Sequence, residues 1–255
     1  MRWLRLAPLA ILFAVAGFEA PAASAIVLLP DAWHDEFGRN NILVLLISTG
    51  RSLAFGAGVA AASVAIALLL AVPTAGRGDL HIRRVIQGLA RIVESVPLML
   101  WVLAAFATVR GSSSLVAGVA LGIAVIPVLT SVLAAELDRI VRLPYVDAAR
   151  MLGVDPWRVT YRHVLPNAAA VLGPLFIQVL GVAAAIRGAT GLLGFGRRMD
   201  YDLGVLLLRG REQLGSDPFL LLVAVASFLL LFIYLDWLAR SFRKPPSVDG
   251  RIEPY

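Results

Sequence analysis

Asp147-Ala-Ala-Arg-Met-Leu-Gly-Val-Asp-Pro-Trp-Arg-Val-Thr-Tyr-Arg-His-Val-Leu-Pro-Asn167 is a polar segment set between two long apolar runs. Leu115–Glu136 precedes it and Ala168–Thr190 follows it. Each run is long enough to cross a hydrocarbon core of roughly 30 Å at about 1.5 Å per residue. A charged helical pair held between two membrane spans is placed to touch a soluble partner and pass its motion into the bilayer. This pattern decides the fold class: an all-α, polytopic membrane protein.

Composition leads to the same class. Hydrophobic residues make up 59% of the chain and charged residues 16%, against roughly 45–50% and 25% in soluble domains. Working outward, further spans are expected at Leu6–Leu28, Leu53–Ala75, Ile86–Thr108 and Pro218–Ala239, about six in all. Ile42–Ile47 is too short to span and leads into the second crossing. The first run has a rival reading, because Met1-Arg-Trp-Leu-Arg5, the apolar stretch and Ala23-Ser-Ala25 together resemble a cleavable signal peptide, and Glu19 interrupts the run. Retention as a span is the expectation. The domains are then 1–34, a first transmembrane helix with a short extracytoplasmic loop; 35–243, the membrane core with a cytoplasmic insert at 137–166; and 244–255, a cytoplasmic tail.

Net charge is +6, and its distribution is a topology signal. With the N-terminus inside, fifteen of the 23 Lys and Arg residues fall on or near the cytoplasmic side. Arg39, Arg51, Arg110, Arg187, Arg197, Arg198, Arg209 and Arg211 fall on the other. Both termini are therefore expected in the cytoplasm. The chain has no cysteine, which excludes disulfides and thiolate metal sites.

The insert can be parsed residue by residue. Pro144 suits the first turn of a helix, and Asp147 lies near the positive end of its dipole. Ala148 and Ala149 form helix with almost no side-chain bulk, so a partner can approach the backbone. Gly153 stops the helix. Asp155-Pro156 reads as N-cap and first-turn proline of a second helix, which Leu165-Pro166 is expected to end. The Ala-Ala-Arg-Met-Leu-Gly-Val pattern also looks like the start of a DNA-reading helix-turn-helix. That unit needs a third helix and its own core, and the adjacent spans leave no room for them.

At these residues the chain resembles the transmembrane permease subunit of bacterial binding-protein-dependent ABC importers. Their signature is Glu-Ala-Ala, three residues, Gly, and a Leu-Pro as the next span begins. Asp147-Ala148-Ala149, Gly153 and Leu165-Pro166 match in type and spacing, with Asp in place of Glu. Tyr145-Val146, Trp157-Arg158 and Arg162-His163-Val164-Leu165-Pro166-Asn167 are similar to the oligopeptide/dipeptide/nickel branch, as is Asp35-Glu36-Phe37-Gly38-Arg39-Asn40 before the second span. Two departures stand out: the first extracytoplasmic loop is short, and Arg187-Gly-Ala-Thr-Gly-Leu-Leu-Gly-Phe-Gly196 lacks the acidic residue usual after span five.

The resemblance implies a type I ABC importer permease fold and a bacterial cytoplasmic-membrane location. It also implies a second homologous permease subunit, two cytoplasmic ATPase subunits and an extracytoplasmic substrate-binding protein. Asp147, Ala148, Ala149 and Gly153 would seat the insert in the ATPase, with Arg150, Asp155, Arg158, His163 and Pro166 on the same coupling surface. Peptides lead as cargo, followed by nickel or other metal chelates.

Ionisable and helix-breaking residues in the spans are the other candidates. Arg91 and Glu94 stand three apart and can pair on one helix face. Glu136, Asp138 and Asp236 mark the cytoplasmic interface. Pro97, Pro127 and Pro174 should kink their spans, and Thr130, Ser131 and Gln178 are candidates to line a pathway. Gly118 and Gly122 allow close helix packing. No catalytic, cofactor or metal motif is present. His34, His81 and His163 are scattered, and there is no Gly-x-x-x-x-Gly-Lys loop, so any ATPase activity must come from separate subunits. Two other classes remain open: an ion-coupled secondary transporter using Glu94, and a membrane scaffold or sensor docking a cytoplasmic partner.

Overall fold

The structure, a computed structural model, describes Pro8 and residues 41–74, 80–108, 114–195, 202–215 and 218–242. Apart from Pro8, the first expected span, the 35–40 element and the tail from 244 lie outside the described residues. Those that are described form helices joined by short turns, with no strand among them. We number the helices α1 (Asn41–Ala71), α2 (Leu80–Glu94), α3 (Leu98–Thr108), α4 (Ser114–Val141), α5 (Pro144–Met151), α6 (Pro156–Val159), α7 (Leu165–Leu192), α8 (Leu203–Glu212) and α9 (Pro218–Phe242).

α1, α4, α7 and α9 are each long and apolar enough to cross a membrane. The centre of the fold is α1 packed against both α4 and α7. Leu53, Leu121, Leu133, Leu137 and Leu180 are fully buried there. Small residues set how closely the helices approach. A Cβ on Gly56 would lie 2.7 Å from the Leu180 carbonyl oxygen, and one on Gly118 would lie 3.1 Å from the Phe55 ring. α9 packs on α7 and α8 at the edge and leaves most of its surface free.

Two expectations need correction, one is sharpened and one element is new. The second span begins at Asn41, so Ile42–Ile47 is part of one 31-residue helix. Ser48, Thr49 and Gly50 lower helix propensity but do not stop a helix that is buried on α7. The third span bends at Pro97 as expected, and sharply: α2 and α3 meet at 86° across Ser95, Val96 and Pro97. Pro97 has no N–H and its ring would clash with the Val93 carbonyl. That carbonyl instead accepts from Val96 N–H at 3.2 Å, while Ser95 Oγ takes the Ile92 carbonyl at 2.7 Å.

Leu165-Pro166 does not end the second insert helix. α6 continues through a π-turn at Thr160–Val164 into α7. Leu165 N–H reaches the Thr160 carbonyl five residues back, and the widened turn accommodates Pro166 without a break. Finally, Leu203–Glu212 forms a short helix, α8, that the sequence reading did not anticipate.

Candidate functional site

Two regions carry the chemistry of this fold: the insert, and a cavity at mid-depth beside the broken span. In the insert, Leu143 is extended (φ −75°, ψ 141°) and Pro144 takes the first helical position of α5. Gly153 then adopts φ +73°. Its N–H donates to the Arg150 carbonyl at 3.0 Å, and Val154 N–H donates to the Ala149 carbonyl at 3.3 Å. Val154 and Ala149 both pack against the core. This is a complete Schellman motif, which requires a left-handed residue at its turn. Asp155 sits at the N-cap of α6, its carbonyl accepting from Val159 N–H at 3.0 Å.

Burial divides the insert into an anchor and a tip. Val146, Val159 and Val164 are at most 1% exposed and join the membrane core beside Ile140. The Asn167 amide donates to the Tyr145 hydroxyl at 3.0 Å, tying the start of α7 to α5. Asp147, Ala148, Arg150, Gly153, Asp155 and Arg158 are exposed, as is Pro166 in the first turn of α7, while Ala149 is half-buried. His163 lies within the π-turn. Asp147 and Arg150 pair at 3.5 Å, an exposed contact of little energetic weight.

At the tip, Met151 is 87% and Leu152 83% exposed. The sequence reading passed over these two residues. Their signal was present: an apolar pair on a charged insert, directly before the turn glycine. Among the described residues they are the most exposed large apolar side chains.

The second region lies where α2 breaks. A cavity of about 320 Å³ is bounded by Glu94, Val96, Pro97, Val125, Val128 and Gln178, among others. It brings Pro97 and Gln178 together. Thr130 is not on it: this residue is fully buried, with its hydroxyl on the Ile126 carbonyl at 2.7 Å. Ser131 is half-buried, and Pro127 and Pro174 lie inside continuous helices. A second cavity, of about 770 Å³, shares Gln178 and Val182 with the first and reaches Asp236 and Arg240 between α7 and α9.

Ion pairs fix the surrounding helices. The expected Arg91–Glu94 pair is absent from the structure, because Arg91 Nε turns back to the Gln87 carbonyl at 3.3 Å. Asp138, near the end of α4, is buried and pairs with Arg83, binding α2 to α4. Glu136 pairs with Arg139 at 2.6 Å and Asp236 with Arg240, each within its own helix. Asp202 is buried and receives Arg187 Nε, while its other oxygen caps α8 through Gly204 N–H at 2.8 Å. The Arg187 guanidinium also lies 4.7 Å from the centre of the Phe55 ring. Arg187, at the departure from the family pattern, therefore joins α1, α7 and α8. Among the described residues no group of His, Asp and Glu is arranged to hold a metal ion.

Comparison with known proteins places this geometry. Residues 67–244 match the family described as binding-protein-dependent transport system inner membrane component. The chain is 26% identical over 206 residues to the glutathione transport system permease protein GsiD of Pectobacterium atrosepticum, covering 80% of this chain and 66% of that one. It is 28% identical over 200 residues to a probable D,D-dipeptide transport system permease protein, DdpC, of Escherichia coli K12, covering 74% and 64%. The matches thus span from about a third to about two thirds of the length of these and similar relatives. A solved structure titled as inward-facing conformations of the MetNI methionine ABC transporter shares the fold, with a TM-score of 0.59 at 16% identity over 80% of this chain and 98% of that one.

Proposed function

The chain belongs to the family of binding-protein-dependent transport system inner membrane components, and from that premise we propose that it is a non-catalytic permease subunit of an ATP-driven importer. It forms half of a translocation pathway with a second homologous permease subunit, in a bacterial inner membrane with both termini in the cytoplasm. Two cytoplasmic ATPase subunits drive it and an extracytoplasmic binding protein delivers cargo. The names of the relatives favour peptides as the cargo class, with metal chelates such as nickel complexes behind them.

The observation that carries this reading is the division of the insert into a buried anchor and an exposed apolar tip. A docked ATPase subunit grips Met151, Leu152 and the alanine face at Ala148. Its movement passes through Val146 and Val159 to the core, and through the unbroken α6–π-turn–α7 rod into a membrane span. Asp147, Ala149, Arg150, Gly153 and Asp155 hold the shape of the tip. Arg158, His163 and Pro166 lie along the rod. Alternation between inward- and outward-open states follows when the two ATPase positions favour different insert orientations.

The test uses the absence of native cysteine. A photo-crosslinker placed on Leu152→Cys in native membranes is expected to give an adduct with a nucleotide-binding subunit. Adducts with lipid alone, or with no protein, would overturn the reading. The same experiment separates it from an ion-coupled carrier, which needs no ATPase, and from a scaffold docking some other partner.

A further inference from the structure

We propose that the break between α2 and α3 is a cargo-contact site for a cationic group, with Glu94 as the carboxylate that receives it. The inference rests on the permease reading and names the chemical class that this wall of the pathway selects. An organic ammonium, such as the amino terminus of a peptide, is the matching ligand.

Depth comes first. Glu94 shares its cavity with Val125 and Val128 near the middle of α4, and with Gln178 near the middle of α7. The carboxylate is therefore far from either membrane face. Glu94 and Gln178 are both exposed and both line this cavity. Neither an ionised carboxylate nor the irregular backbone at Ser95–Pro97 is tolerated against lipid at this depth. Such groups persist where they are covered by protein or line a water-filled cavity. A wall of the translocation pathway, where this subunit faces the second permease, meets that requirement.

Charge comes second. Among the described residues Glu94 has no ion-pair partner, and Arg91, one turn back, is held on the Gln87 carbonyl. The dipole ends of α2 and α3 meet at the break with opposite sign, so the carboxylate sets the net potential. An uncompensated negative charge in a low-dielectric wall attracts a cation strongly. Gln178 faces both cavities, and the larger one continues toward Asp236 and Arg240 at the far end of α9. A cation leaving Glu94 therefore has a hydrogen-bonding stop on its way to the cytoplasmic end.

The experiment needs no knowledge of the cargo. In the assembled transporter in native membranes, Gln178→Cys is the only thiol on this chain. Its rates with a quaternary-ammonium methanethiosulfonate and with the sulfonate counterpart are measured, and their ratio is divided by that for free cysteine. The normalised ratio is expected to favour the cation by about tenfold, to fall to near one when Glu94→Gln is added, and to survive Glu94→Asp. Labelling by both reagents with a ratio that Glu94→Gln does not change would overturn the cation site while leaving the pathway in place. No labelling by either reagent would remove the pathway wall, and with it the cation site.

Discussion

Replacing Gly153 tests whether the insert works as a mechanical joint. The residue sits at φ +73°, and a Cβ built there meets nothing within 4 Å. Substitution therefore costs no packing inside this chain and acts through backbone angle alone. Holding a branched L-residue in the left-handed region costs about 1–2 kcal/mol or more, whereas Asn tolerates it. A shift of that size changes the population of the turn by roughly 5–30-fold. The turn can relax by giving up its bonds to the Arg150 and Ala149 carbonyls, while Val146, Val159 and Val164 keep the anchor in the core. Global stability should then fall little, with Tm lowered by no more than about 8 °C. The ATP hydrolysed per molecule of cargo imported should rise by about 5–30-fold in Gly153→Val, less in Gly153→Ala, and hardly at all in Gly153→Asn. Reconstituted vesicles with parallel uptake and phosphate-release assays give this ratio directly. A Gly153→Val transporter that couples like the wild type would refute the reasoning. Equal damage from Asn and Val would show that clearance against the partner, not the backbone angle, is what the glycine provides.

The double change Met151→Ser/Leu152→Ser should leave the fold intact, because both side chains are almost fully exposed. Burying each in a partner is worth about 1.5–3 kcal/mol, so ATPase-subunit affinity should fall by at least about tenfold in a titration on detergent-solubilised permease. Unchanged affinity would move the contact away from the tip. Asp202→Ala removes the Arg187 partner and the α8 cap together. Arg187 is half-buried, so leaving its guanidinium unpaired should cost somewhat less than the about 3–5 kcal/mol of a fully buried charge, and adding Arg187→Met should recover part of that loss in thermal unfolding. A single-mutant cost under about 1 kcal/mol would show that the pair is solvated.

The spans were readable from composition because lipid leaves a chain few options: every backbone group must be satisfied within its own helix, so long apolar runs mean helices. The first half of the insert was readable for a different reason. A Schellman turn depends on one residue type at one position, and Gly153 meets that requirement locally. The misreadings share a physical cause. Leu165-Pro166 is a stop signal by local rules, yet Val164 and Ala168 are buried on both sides of it. Tertiary packing keeps the rod helical and moves the strain into a wider turn. Pro97 marked a kink in the run from Ile86 to Thr108, but hydropathy carries no information about direction, so the 86° size of the bend was not legible. The clue lay in Glu94, Ser95 and Pro97 standing together. The pairs Arg83–Asp138 and Arg187–Asp202 join separate helices, and no local pattern fixes such a pairing. At Pro166 packing overrules the local preference and the helix runs on, whereas at Pro97 the local preference breaks the span beside an exposed carboxylate. Natural chains keep such conflicts mainly where function requires them. The π-turn and the break are thus the two points at which motion and cargo selection are expected to meet.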